Sequence, residues 1–245
     1  MRYISLGYFC SVAIELEKLG LRTESSPFDW VVSDFDGVIK AIKNNFIDFL
    51  EYDYLEQSGV NRSIYRNTKY NLYFFHDFDK YKNLDRQLQS IQRKYNRRIE
   101  RFYNSITEPT LFIRYISDEK IVEGVSEELK YIEENYDEII SLLKSFNESN
   151  EILFIANEGV VSQKLQIYNV EKDQNDVVSR NPISNNSALY DKFSRIDVPD
   201  KQRHIDRYRE KERKKKRIYN RIKRKTIQII KNAFWKEYSH TKQYF

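Results

Sequence analysis

The 245-residue chain has one cysteine, one methionine, four prolines, six glycines and three histidines. A single thiol excludes an internal disulfide and fits a reducing compartment. With Cys10, His76, His204 and His240 as its soft ligands, the chain has no CxxC or HExxH spacing, so no metal or other cofactor is expected. GxGxxG and Walker patterns are missing too, which argues against nucleotide binding through a glycine-rich loop. No apolar run approaches the roughly 18 residues needed to cross a bilayer. MRYISLGYF lacks the basic flank and long apolar stretch of a signal peptide, so the expected location is cytoplasmic.

What the chain has in quantity is aromatic side chains, 15% of the total, and charge that is unevenly spread. Residues 201–245 hold 17 Lys and Arg against 4 Asp and Glu, a net of +13, leaving 25 against 33, a net of −8, for residues 1–200. The basic character belongs to the tail. Two units are expected: an α/β domain over 1–200 and a basic amphipathic helical tail over 201–245.

Tyr3 to Cys10, YISLGYFC, reads as a buried strand turning sharply into a helix that carries Val12, Ala13, Leu16 and Leu19 on one side and stops at Gly20. Cys10 then sits at a helix N-terminus, where unpaired N–H groups favour a thiolate and lower a cysteine pKa below its free value of about 8.5. A buried, inert thiol filling space under the turn is the alternative. Further strands are expected at Tyr70–Phe75, Thr110–Ile116, Glu151–Asn157 and in LQIYNV. Helices are expected from Asp34 to Leu50, Asn83 to Ile106 and Ser126 to Phe146, with loops over 51–69 and 180–200.

Apolar strands alternating with amphipathic helices predict a three-layer α/β fold, a mostly parallel sheet flanked by helices, with the basic helical extension appended. Functional groups are then expected past the carboxyl ends of the strands: Cys10, His76 with Asp77, Ser117 with Asp118, and Asn157 with Glu158. Arg97, Arg98 and Arg114 are candidates to grip an anionic substrate, with Asp77 and Glu158 as further substrate contacts. A solvated helix face accounts equally for Arg97 and Arg98. A salt bridge to Asp29, Asp77 or Glu158 does so for Arg114.

Five ordered blocks, SLGYFCSVAIELEKLGLR, SSPFDWVVSDFDGVI, FFHDF, KYNRRIERF and LFIRYI, resemble a bacterial family of papain-like cysteine peptidases long carried as a domain of unknown function. The resemblance covers roughly residues 3 to 160. It implies Cys10 as nucleophile and His76 as general base, with Asn157 or Asp29 orienting the imidazole. It also offers a papain-like α+β fold, with the histidine in a separate β-rich lobe, as the alternative architecture. The PFDW block is similar to the start of cysteine-bearing relatives of the SGNH hydrolases, although DKQRH is one residue too long for their DxxH pair.

The expected function is a cysteine peptidase or related hydrolase or acyltransferase acting on a small-molecule, peptide or glycan substrate. A group-transfer enzyme of bacterial surface polysaccharide synthesis, binding a phosphorylated sugar donor, is the alternative, and a non-enzymatic binding module is a third. In the tail, Ile218, Ile222, Ile229, Ile230 and Phe234 share one helical face, with Trp235 behind. That pattern suits either peripheral contact with the inner face of an anionic membrane or docking onto the acidic domain, with nucleic acid as a lesser partner.

Overall fold

The computed structural model describes residues 1–58, 63–122, 124–174 and 176–241, with side chains in the last helix given through Lys223 and at Lys225 and Thr226. Its elements run β1 (Arg2–Ser5), α1 (Ser11–Lys18), β2 (Val31–Ser33), α2 (Phe35–Lys43), β3 (Leu55–Gln57), β4 (Tyr65–Asn67), β5 (Leu72–Phe74), α3 (Leu84–Ile106), β6 (Thr110–Ile116), β7 (Ile121–Val122), β8 (Val125–Ser126), α4 (Glu127–Glu134), α5 (Tyr136–Phe146), β9 (Glu151–Asn157), β10 (Ile167–Val170), α6 (Ser187–Ser194) and α7 (Lys201–Thr241).

The central sheet is parallel, in the order β1-β6-β9-β10. Its long strands are nearly continuous apolar runs because both faces are covered. Alternate residues go to opposite sides. Ile4, Leu6, Phe112, Ile116, Phe154 and Ala156 pack with α2, α3, α4 and α5. Tyr3, Leu111, Ile113, Tyr115, Leu153 and Ile155 pack with Val12 and Leu16 of α1 and with Leu189 and Phe193 of α6. The expected three-layer α/β architecture is therefore present. Strand order in this sheet follows chain order without reversal, so it lacks the switch point at which open α/β sheets form their usual crevice.

Other expectations are corrected. The YNLYFF strand is not part of the parallel sheet: β5 pairs antiparallel with β2 and β4 in a second sheet ordered β2-β5-β4-β3. His76 therefore follows a strand of a second, antiparallel sheet, whose Val31, Leu72 and Phe74 share one core with Phe112, Ile116 and Phe154 of the parallel sheet, so it does not sit in a separate lobe. Residues 51–69 supply β3 and β4 instead of an uninterrupted loop. The second helix ends at Lys43, because Asn45, Phe46 and Asp48 take left-handed φ of 51°, 56° and 64°; the turn, not a helix, buries Phe46, Phe49 and Leu50. The helix expected over 126–146 is divided at Asn135 into α4 and α5. Within the expected linker, α6 is capped by the Asn186 side chain, which accepts from the Leu189 N–H at 3.0 Å, and buries Leu189 and Phe193.

The start of α7 lies against α1. Gly20 has φ +72°, and a Cβ there would come within 2.6 Å of the Lys201 carbonyl oxygen. Lys211 Nζ reaches Glu17 Oε1 at 3.1 Å. Ile218 and Ile222 are exposed, while Ile229, Ile230, Phe234 and Trp235, the rest of the expected apolar stripe, lie outside the described side chains. Among the described residues no helix is long and apolar enough to cross a membrane.

Candidate functional site

Cys10 is placed by a strained strand-to-helix turn. Leu6 extends the pairing of β1 through its N–H to the Ile113 carbonyl at 2.9 Å, and the Ser5 hydroxyl accepts from the Gly7 N–H at 3.2 Å. Gly7 has φ +80°, and a Cβ there would sit 2.8 Å from Ser33 Oγ and 3.3 Å from the Phe28 carbonyl. Only glycine fits this approach. Tyr8 follows at φ 52°, a left-handed conformation that costs a non-glycine residue about 1 to 2 kcal/mol. Burial holds it there: its ring is 1% exposed, packed edge-on to Phe9 at 5.2 Å and tilted against Tyr115 at 6.4 Å.

Cys10 is the N-cap residue of α1 and is half-buried, as the sequence placed it. The electrostatic outcome is the opposite of the one expected. Burial pushes the thiol up, with Asp176 and Asp29 adding to the rise and a backbone hydrogen bond opposing it. At neutral pH the resting group is the thiol.

The sulfur side of this turn forms a wall of a cleft of about 550 Å³, lined also by Trp30, Asp176, Arg180, Tyr208 and Lys211. Asp176 is paired with Arg180 at 3.0 Å, which holds its carboxyl below the usual range. Tyr208 and Lys211 come from α7, so the basic helix contributes directly to the surroundings of Cys10. Trp30, Glu17, Tyr208, Lys211 and Lys215 also line an adjoining cleft of about 940 Å³.

His76 is exposed and makes no hydrogen bond among the described residues; its ring meets Trp30 edge-on, with centroids 6.2 Å apart. No hydrogen bond joins it to Cys10. The two share Trp30 as a neighbour, because the indole lines the cleft beside the cysteine. Asn157, a candidate orienter, is buried and fully engaged: Oδ1 accepts from the Tyr115 hydroxyl at 2.6 Å, and Nδ2 donates to Asp118 Oδ1 and the Val177 carbonyl, both at 2.9 Å. It pins β9 to β6 and to the loop beyond β10. Asp29, the other candidate, is fully buried. Its Oδ2 accepts from Arg22 Nη1 at 2.5 Å and from the Ser26 N–H at 2.9 Å, and its Oδ1 has no partner. Burial raises its pKa against the opposing pull of Arg22.

The candidate substrate contacts separate. Asp77 is tied down by Lys94 and by the Tyr95 hydroxyl at 2.8 Å, fastening the end of β5 to α3. Arg114, fully buried in β6, spends every N–H on protein: Nε and Nη2 grip Glu128 at 2.8 and 2.6 Å, Nη1 donates to the Leu6 carbonyl and Ser33 Oγ at 2.9 Å each, and Nη2 also reaches the Ser33 carbonyl at 2.6 Å. With all five donors of the guanidinium occupied, it holds three segments together and offers nothing to a ligand. The expected salt bridge is present, but its carboxylate is Glu128 of α4 and not Asp29, Asp77 or Glu158. Glu158 is exposed, its N–H donating to the Val170 carbonyl at 3.0 Å, and Arg97 is exposed on α3. Arg98 alone of the three arginines lines a cleft, stacked on Tyr95 with its guanidinium carbon 4.8 Å from the ring centroid. Among the described residues no group of three or more His, Cys, Asp or Glu is arranged to hold a metal.

Sequence reasoning did not assign Trp30, Arg101, Asp176, Tyr208 or Lys211 to the site. Trp30 entered only as the last residue of the PFDW block that carries the family resemblance, and the tail residues were indistinguishable from their basic neighbours. Comparison with known proteins adds a family. The chain is 34% identical over 178 residues to the uncharacterized protein R408 of Acanthamoeba polyphaga mimivirus, covering 63% of this chain and 77% of that one. This relative is viral, so it does not carry the bacterial source implied by the motif resemblance. No solved structure matches significantly. Residues 1–159, which include Cys10, Trp30 and His76 but neither Asp176 nor α7, match the family model described as "Putative papain-like cysteine peptidase (DUF1796)", and the chain belongs to that family.

Proposed function

We propose that this protein is a cysteine-dependent hydrolase, a peptidase or a close acyl-transfer relative, with Cys10 as its nucleophile. One observation carries the reading: a strained turn delivers the only cysteine to the head of α1 at the wall of an open cleft. Strain of this kind persists where the surrounding structure enforces it, and it clusters at functional sites. The first N–H groups of α1 have no intrahelical acceptors, and they offer donors to an oxyanion forming beside Sγ.

Because burial keeps Cys10 protonated, attack on a carbonyl requires a base. His76 fills that role in this reading, by turning about the edge of Trp30 as substrate enters. The Cys10 proton passes to His76 as Sγ bonds to the carbonyl carbon. The leaving group departs with that proton, and water then cleaves the thioester, restoring the thiol. Of the two candidate orienters, Asn157 is committed to Tyr115, Asp118 and Val177 and Asp29 is buried on Arg22, so the imidazole is held by its packing on Trp30 until substrate binds.

A panel of fluorogenic peptides and activated acyl esters, incubated with full-length protein, tests this. Turnover is expected to fall to background in Cys10→Ala and by about 10² to 10⁴ in His76→Ala. Turnover that survives Cys10→Ala overturns the assignment.

A further inference from the structure

Beyond Cys10 the cleft runs on into a basic chamber between α3 and α7. Its carboxylates are largely matched: Glu17 is engaged by Arg22 and Lys211, and Glu210 by Lys214 at 2.7 Å. Three lining guanidinium groups have no carboxylate partner, Arg101 Nε being bonded only to the Arg97 carbonyl of its own helix at 3.1 Å. Arg98 and Arg101 stand one turn apart on α3, Arg207 faces the same space from α7, and none has a carboxylate within ion-pair distance among the described residues. Arg98 Nη1 is buried without a hydrogen-bond acceptor; within the chain its guanidinium has only the Tyr95 face and the longer-range pull of the buried Asp29 carboxylate. A buried cationic donor left unpaired costs free energy, so its retention points to an acceptor supplied from outside the chain. Glu24 is the remaining carboxylate of the lining, and it is exposed at the rim.

We infer that Arg98, Arg101 and Arg207 form a binding site for a phosphoryl-bearing ligand, closed on one side by α7. Planar guanidinium forks grip an oxyanion with several acceptor oxygens, and three of them converging on one chamber suit a phosphoryl group better than a single carboxylate. The chamber is about 940 Å³, room for a small molecule beyond the anion, and Trp30 and Tyr208 give it aromatic walls shared with the Cys10 cleft. That the anchored ligand is the substrate attacked by Cys10 rests on the reading above; the binding itself does not.

Calorimetric titration of the full chain with inorganic pyrophosphate tests the site. Binding is expected at moderate salt, weakened about tenfold or more in each of Arg98→Met, Arg101→Met and Arg207→Met, and unchanged in Arg86→Met, which removes an exposed charge from α3 outside the chamber. Cys10→Ser is expected to bind like the parent, so a failed nucleophile assignment is distinguishable from a failed binding site. Absence of binding, equal weakening in Arg86→Met, or succinate binding as tightly as pyrophosphate overturns the proposal.

Discussion

Lys211 and Glu17 are 194 residues apart in the chain and 3.1 Å apart in space, an ion pair that fastens the basic helix across the cleft containing Cys10. Charge composition alone presents that helix as a separate tail. Its packing on Gly20 and its share of the cleft lining place its first half against α1 and beside Cys10.

The docking has a pH signature. Burial opposes ionisation of Glu17, but Arg22 and Lys211 outweigh it and hold the carboxyl below its ordinary range. A depressed carboxyl pKa contributes stability that is present above the unfolded value of about 4.3 and is lost as pH falls through the folded value. At neutral pH, Lys211→Glu sets two carboxylates against each other. It is expected to speed reaction of Cys10 with a bulky maleimide several-fold, and to leave the melting temperature within a few degrees because the pair is partly exposed. An unchanged rate would place α7 away from the cysteine.

Arg114 tests the architectural reading of the central strand. Arg114→Met strands Glu128 in a buried site and is expected to destabilise the fold by about 3 to 5 kcal/mol in denaturant titrations. Arg114→Lys keeps the charge but loses the two-point grip and the bonds to Leu6 and Ser33, so it should also lose stability, by less. Either variant folding with parental stability would return Arg114 to the list of ligand contacts.

The raised pKa of Cys10 predicts how the resting thiol reacts. Iodoacetamide labelling of the native protein is expected to climb only above the free-cysteine value of about 8.5. The sign for stability follows: a thiol raised in the folded state contributes stability that is present below the unfolded pKa and lost as pH rises through the folded one. A labelling plateau well below pH 8 would show a thiolate already formed, and with it an activating contact absent from this arrangement.

Legibility in the sequence followed the strength of the local signal. β6 and β9 were readable because strands buried on both faces are long apolar runs, and the four-residue β1 because YISLGYFC turns sharply into the apolar spacing of α1. β2 to β5 are three residues each, too short to reveal their partners. That is why His76 was assigned to the end of a parallel strand next to Cys10 when it follows a strand of the second, antiparallel sheet. α6 was hidden by the turn formers of NPISNN, although Leu189 and Phe193 repeat at helical spacing behind an Asn cap. The chamber was out of reach of any local pattern, since it needs Arg98, Trp30 and Arg207 brought together from three elements.

The measurement that bears most directly on the central claim is intact-mass spectrometry of full-length protein quenched during turnover of an activated acyl ester. One acyl group per chain is expected, located on Cys10 by peptide mapping, absent from Cys10→Ser, and formed more slowly in His76→Ala, which lacks the base for the attack. An adduct confined to lysines, or turnover with no acyl group on Cys10 at any time point, would contradict the account.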